Sequence, residues 1–263
     1  MTSLTRMLEI VDLYSVERPL WTAEEIAARL SYSRGSTYRY LKELVAAGLL
    51  VNVAGGYAPG PRIIELDFVI RESDPYSGIV LPVMRNLNQR LQCEVLACRY
   101  YRGRVVVSHH FEGTDKMTMS YGRGRRMPLF LGAGSKSILA SMKKGELKRL
   151  FDANEALRRE QGITSDWDAF FADVKKTRRR GYADSYAELD EGNVGLAAPL
   201  KLTPYGCIVL VFRQSRFDII DEKRVIGMLT DAVQQANALI ANIEAGEDPV
   251  AWLTLSDASP SAA

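Results

Sequence analysis

The sequence predicts an α+β chain in two parts, and three observations carry that prediction. Residues 1–60 hold three helical patterns followed by two short β-prone runs around Gly55-Gly56. Pro59-Gly60-Pro61 then leads into a run too apolar for a free linker. From residue 75 onward, strands come in runs with helices before, between and after them, an order that favours an antiparallel sheet over strict βαβ alternation. The expected division is a first domain over residues 1–60, a linker helix over 61–74, a second domain over 75–248 and a disordered Ser-, Ala- and Pro-rich tail over 249–263.

Leu4, Met7, Leu8, Val11 and Tyr14 mark an amphipathic first helix with Ser3 as its cap. Thr22 and Glu25 form a T-x-x-E capping box, and Ala23, Ile26, Ala27 and Leu30 give the second helix a small-residue inner face. The turn Ser31-Tyr32-Ser33 leads into a third helix. Within it Tyr38, Leu41, Leu44 and Val45 recur at helical spacing and predict a buried stripe. Ser33 caps its start and Gly48 stops it. The opposite face carries Arg34, Ser36, Arg39, Tyr40 and Lys42. The run LLVNV, then Ala54-Gly55-Gly56, then Tyr57-Ala58 predicts a hairpin. Three helices followed by a hairpin make a winged helix-turn-helix, whose second and third helices are the DNA-reading pair. A small helical domain that binds protein is the competing reading. The caps, the turn, the cationic third helix and the Gly-tipped wing, in that order, favour DNA.

Residues 62–71 carry Ile63, Ile64, Leu66, Phe68, Val69 and Ile70. They predict a linker helix packed on another surface, a second copy of itself being the expected partner. Beyond Asp74-Pro75, residues 79–91 read as a helix. Glu94–Tyr101 and Arg104–Phe111 read as strands joined at Arg102-Gly103, and 117–121 as a further strand. Tyr121–Ala140 runs from a basic turn through a Gly-rich loop into a helix. Residues 146–151 and 166–180 are helical, 195–202 and 207–212 are strands, and a long helix over 221–245 closes the domain.

The formal net charge is +2, so the chain as a whole does not advertise nucleic-acid binding. In residues 1–60 six basic residues balance six acids, yet residues 31–42 hold three cations and no acid. Local placement must therefore supply any DNA contact. Cys93, Cys98 and Cys207 have neither disulfide nor metal spacing; five residues apart in a strand, the first two face opposite ways. Reduced, buried cysteines in a cytoplasmic protein are the expectation. No leader of basic-then-apolar type and no run of about 18 apolar residues is present, so no membrane association is expected.

Taken together, these blocks resemble the IclR-type transcriptional regulators over nearly the whole chain. The first half carries LSYSRGSTYRYLKELVAAGLL and GGYAPGPRIIEL, similar to the family's helix-turn-helix, wing and start of the linker helix. The second carries MPLFLGAGSKSILA and GYADSYAELDEGNVGLAAPL, where Gly181, Ser185 and Glu188 fit the family signature. The resemblance implies a winged helix joined to a GAF-like effector domain, assembled as a homodimer or homotetramer on palindromic double-stranded DNA operators. It also implies effectors that are small organic or aromatic acids, bound around Leu129, Phe130, Ala133, Gly134, Ser185, Gly195, Val211 and Arg213. Three positions depart from the family pattern. Gly195 stands where a small residue, often Cys, is usual; Phe130 replaces a histidine; and the strand that often supplies serines reads Val209-Leu210-Val211-Phe212-Arg213. Phe130 as an aromatic lining and Arg213 as a carboxylate fork lean toward a larger or aromatic acid.

The expected DNA contacts are Ser33, Arg34, Ser36, Thr37, Arg39, Tyr40 and Lys42 on the third helix, and Asn52, Gly55, Gly56 and Tyr57 on the wing. Arginine reads guanine, whereas Ser36, Thr37, Tyr40 and Lys42 are suited to phosphates. Gly55 and Gly56 allow close approach because they carry no side chain. Gly132-Ala133-Gly134-Ser135-Lys136 lacks the spacing of a phosphate loop, although its amides at a helix start suit a carboxylate. His109 and His110 adjoin in a strand and read as a surface-plus-core pair. No nucleophile elbow is present, so neither enzyme activity nor a cofactor is expected. A small-molecule enzyme that retains a winged helix for assembly is the alternative.

Overall fold

The computed structural model describes residues 2–115 and 117–244; the tail expected over 249–263 lies outside them. The chain divides into two units, Met1–Asp74 and Pro75–Ala263.

In the first unit, helix α1 spans Ser3–Val11 and is capped by Thr2, whose side chain accepts from the Thr5 amide, in place of the expected Ser3. Its buried contact is Ile10, while Leu4 and Leu8 are exposed and Tyr14 lies past its end. Helix α2, Ala23–Leu30, has both halves of the Thr22–Glu25 capping box. Ser31 turns the chain in the left-handed region at φ 57°, and α3, Arg34–Ala46, begins at the Ser33 cap. The buried residues of α3 are Thr37, Tyr40, Leu41 and Leu44. The stripe is thus rotated from the expected one: Tyr40 is inside and Tyr38 outside. Three contacts decide this. Tyr40 accepts a hydrogen bond from Ser3 Oγ at 3.1 Å and meets Tyr32 edge-on at 6.0 Å, whereas the Tyr38 hydroxyl donates to exposed Glu24.

Strands β1, Leu50–Val53, and β2, Gly56–Pro59, form the wing, with Val53 opposite Gly56. Trp21 pairs with Tyr57 through two backbone bonds of 3.1 and 2.8 Å, tying the wing to the start of α2. Helix α4, Arg62–Ser73, is anchored at its base: the Arg62 amide donates to Gly48 O at 3.2 Å and the Gly60 amide to Leu49 O at 2.9 Å. A Cβ on Gly60 would lie 2.1 Å from Gly48 O, so only glycine admits this joint. No residue of α4 is buried within the unit; Ile64, Ile70 and Phe68 are 70, 62 and 58 % exposed.

The second unit begins with α5, Ser77–Leu91, followed by β3, Glu94–Tyr101, β4, Arg104–Phe111, and the short β5, Arg126–Met127. Then come α6, Ala133–Ser141, α7, Lys144–Ala153, α8, Glu155–Glu160, and α9, Trp167–Arg180. The chain returns through β6, Ala183–Tyr186, β7, Asn193–Leu200, and β8, Gly206–Arg213, to α10, Gln214–Phe217, and α11, Glu222–Glu244. The six-stranded sheet has the order β5-β4-β3-β8-β7-β6, and every pairing is antiparallel. One face packs on α5 and α11 through Val95, Leu196, Ile208 and Leu229; the other packs on α6 and α9 through Leu96, Val209, Ile138 and Val174. Cys93 falls in the first cluster and Cys98 in the second, as the strand alternation requires, and all three cysteines are free and buried. The strand expected over 117–121 is a loop; the second strand partner of β4 is Arg126–Met127 instead.

A cationic helix face and an enclosed cavity

With Thr37, Leu41 and Leu44 packed inward, α3 turns Arg34, Gly35, Tyr38, Arg39 and Lys42 to solvent. None of its three cations forms an ion pair among the described residues; Arg39 lies against the Tyr40 ring at 5.3 Å. Three uncompensated positive charges on an exposed helix, backed by an apolar core, suit a groove lined with phosphates and base edges. Two expected contacts do not reach this face. Thr37 is fully buried and its hydroxyl donates to Ser33 O at 3.1 Å; Tyr40 is 5 % exposed and its hydroxyl faces Ser3. Both side chains hold the helix in place from behind. Ser33 is committed to capping, and its hydroxyl donates to Ser36 Oγ at 3.0 Å. Sequence reasoning missed Tyr38 and Gly35. The charged neighbours Arg34 and Arg39 were the signal that the face next to them is wet.

On the wing, Asn52 and Gly55 are exposed, while Gly56 and Tyr57 are partly covered. Gly56 is dictated by internal packing: a Cβ there would lie 2.5 Å from Trp21 O, at φ +149°. Tyr57 is held by the Trp21 pairing and accepts at its carbonyl from the Tyr14 hydroxyl at 3.1 Å. The glycine pair therefore reports how the wing is attached to its own domain.

In the second unit, the N-terminus of α6 faces a cavity of about 40 Å³ bounded by β3, β6, β7, β8 and two loops. Of the expected effector residues, Ala133, Gly134, Ser185, Gly195 and Val211 line it. Ser185 sits directly opposite Gly195 in the β6–β7 register, and a Cβ on Gly195 would lie 2.8 Å from Ser185 Oγ. Leu129, Phe130 and Arg213 are not part of the lining. Phe130 is packed edge-on against Phe170 at 6.0 Å, and Leu129 is buried in the same cluster. Arg213 is an exposed residue at the end of β8. The lean toward an aromatic acid drawn from Phe130 and Arg213 therefore loses its basis. The aromatic ring that does line the cavity is Tyr121, whose hydroxyl burial holds above the ordinary phenol range, assisted by the Asp190 charge.

The lining that sequence reasoning missed comes largely from the loops: Met119 and Tyr121 on one, Glu188, Leu189 and Asp190 on the other. They are latched together. Asp190 accepts from the Ser120 amide at 3.1 Å and from its hydroxyl, and Asn193 Nδ2 donates to Thr118 O at 3.1 Å. Glu188 accepts from the Gly132 amide at 2.9 Å and pairs with Lys136, so one carboxylate already sits at the start of α6. This places negative charge at the positive end of the helix dipole. His110 is paired with buried Glu94 at 2.6 Å, and no group of three His, Cys, Asp or Glu suitable for a metal occurs among the described residues.

A cation-faced winged helix-turn-helix followed by an antiparallel-sheet domain with a small cavity defines a DNA-binding regulator with a sensory domain. The family model for the bacterial transcriptional regulator IclR C-terminal domain matches residues 77–238, and that for the IclR helix-turn-helix domain matches residues 3–54. The chain belongs to the IclR family of transcriptional regulators. It is 22 % identical to the HTH-type transcriptional regulator KipR of Bacillus subtilis, over 75 % of this chain and 79 % of that one. It is 21 % identical to KdgR of Escherichia coli, over 90 and 92 % of the two chains. Among solved structures, an IclR family regulator from Brucella abortus superposes with a TM-score of 0.75 at 20 % identity, covering 91 % of this chain and 92 % of that one. An IclR homologue from Microbacterium hydrocarbonoxydans complexed with 4-hydroxybenzoate superposes with a TM-score of 0.67 at 18 % identity, covering 90 and 98 %. At such identities the superpositions speak for the fold. No helix among the described residues is long and apolar enough to cross a membrane.

Proposed function

We propose that the protein acts in the cytoplasm as a homodimer or homotetramer on a palindromic operator, with α3 in the major groove and its occupancy set by an organic acid in the second unit. The observation that supports this most directly is the trio Arg34, Arg39 and Lys42, exposed and without carboxylate partners among the described residues on a helix whose back is packed. Arg34 and Arg39 reach base edges, and Lys42 and Ser36 hold phosphates. The apolar side chains of α4 that stay exposed, Ile64, Phe68, Val69 and Ile70, support pairing with a second copy through that helix. In such a dimer the two α3 helices address half-sites about 34 Å, or a multiple of it, apart.

The effector reading rests on Ala133, Gly134, Ser185 and Gly195 around one cavity. The Ser185 hydroxyl, 7 % exposed and without a hydrogen-bond partner among the described residues, and the α6 amides suit a carboxylate or its neighbouring oxygen. The homologue that holds 4-hydroxybenzoate supports an acid as ligand. A cavity of about 40 Å³ is far below the roughly 300–1,000 Å³ of ligand pockets, so binding requires the Ser120–Asp190 latch to open. A tenfold change in operator affinity needs about 1.4 kcal/mol of coupling between the sites. Gel retardation of the DNA flanking the encoding gene, titrated with salt, tests the reading. Specific binding that weakens with salt is expected; absence of specific binding there and in a random-site selection would return the winged helix to protein contacts.

A further inference from the structure

A second cavity, of about 480 Å³, opens at the other end of α6. It exists because the sheet edge is left uncovered there. Strand β6 pairs with β7 only as far as Ala197, so the edge beyond is free of a strand neighbour. The Asn237 side chain takes over its polar groups: Nδ2 donates to Pro199 O at 3.0 Å and Oδ1 accepts from the Lys201 amide at 2.7 Å. Arg178 likewise satisfies the carbonyls of Ala140, at 2.6 Å, and Met142 at the end of α6. The Ser137 hydroxyl lies behind this wall: the residue is only 1 % exposed, its oxygen is closed to solvent, and it has no hydrogen-bond partner among the described residues. The charged residues of the wall are Arg178 and Lys201, both cationic, and no carboxylate lines it. Lys201 is exposed and forms no ion pair among the described residues. Leu202, Ala140 and Tyr182 supply the apolar surface.

We propose that this cavity is a second small-molecule site, separate from the one at the α6 N-terminus, for an organic carboxylate with an apolar or aromatic body. The volume falls within the usual range of ligand pockets. The anion pairs with Lys201, and the body covers Leu202 and Ala140. The inference does not depend on DNA binding or on the effector reading of the smaller cavity.

Photolabelling of the full chain with 4-azidobenzoate, followed by peptide mapping, tests it. The expected result is label on peptides containing Ser141, Tyr182 or Tyr205, suppressed by excess benzoate and reduced at least tenfold in Lys201→Glu, an exposed position where folding is not at stake. Label confined to the peptides around Gly134 and Gly195, label that Lys201→Glu leaves unchanged, or no protectable label at all would overturn the proposal.

Discussion

The winged unit and the sensory unit use polar residues in opposite ways. On α3, Arg34, Arg39 and Lys42 stand exposed with no carboxylate partner among the described residues. Around the smaller cavity, the charged groups are already engaged with each other or with the backbone: Glu188 with Lys136 and the Gly132 amide, Asp190 with Ser120. An exposed, uncompensated charge is held ready for a highly charged partner at little desolvation cost. The paired groups beside the cavity instead tie its two loops to each other. The difference teaches where each activity can be attacked: single side chains suffice on the helix, while the cavity responds to changes in volume and latch.

The largest effect is expected where packing admits no side chain. Gly56→Ala would set a Cβ 2.5 Å from Trp21 O at a positive φ. It should destabilise the winged unit by about 3 kcal/mol, combining backbone strain and overpacking. Differential scanning calorimetry should show one transition lowered and that of the second unit unmoved; an unshifted trace would mean that the wing relaxes freely.

Filling the cavity sharpens the contrast. Gly195→Leu pushes against Ser185 Oγ and Ala133 Cβ, 2.8 and 3.3 Å from the new Cβ. It should abolish release of DNA by any effector that works on the wild type and cost ~1–3 kcal/mol of stability. DNA affinity without effector should remain within a few-fold, as measured by fluorescence anisotropy. Loss of DNA binding together with the effector response would show that the units are not separable in this way.

A smaller effect is expected at the capping box. Thr22→Ala removes the acceptor for the Glu25 amide and should cost about 1 kcal/mol, read from urea unfolding. The smallest concerns alkaline pH. Tyr14, half-buried and hydrogen-bonded to Tyr57 O, has its hydroxyl pushed up to about 12 by burial and by the neighbouring Tyr57. An unfolded tyrosine ionises near 10, so between about pH 10 and 12 the unfolded chain binds fewer protons than the native one and stability falls as pH rises. Tyr14→Phe should flatten part of that decline in melting temperature, leaving behaviour at pH 7–9 unchanged apart from the lost hydrogen bond.

The fold was legible because periodicity and caps act locally. The Thr22–Glu25 box, the Ser33 cap and the runs of β3 and β4 all rest on residues a few positions apart. The misassigned side chains were decided from far away. Which tyrosine of α3 faces inward depends on Ser3, 37 residues before Tyr40. The cavity shows the same division. Ser185 and Gly195 were found because they lie in a recognisable block and become direct strand partners. Met119 and Tyr121 were missed because they lie in a loop with no periodicity, which β-prone residues disguised as a strand. Phe130 was misplaced because an aromatic beside a Gly-rich loop looks the same whether it turns to a ligand or, as here, to Phe170.

The central claim is that the exposed face of α3 reads DNA. Its most direct test compares wild type and Arg39→Ala on the DNA flanking the encoding gene, by fluorescence anisotropy at low and physiological salt. The account predicts that Arg39→Ala loses ~1–3 kcal/mol of specific affinity, about ten- to hundredfold, while sedimentation shows the wild-type oligomer. Wild-type affinity in Arg39→Ala, with its salt dependence intact, would contradict it.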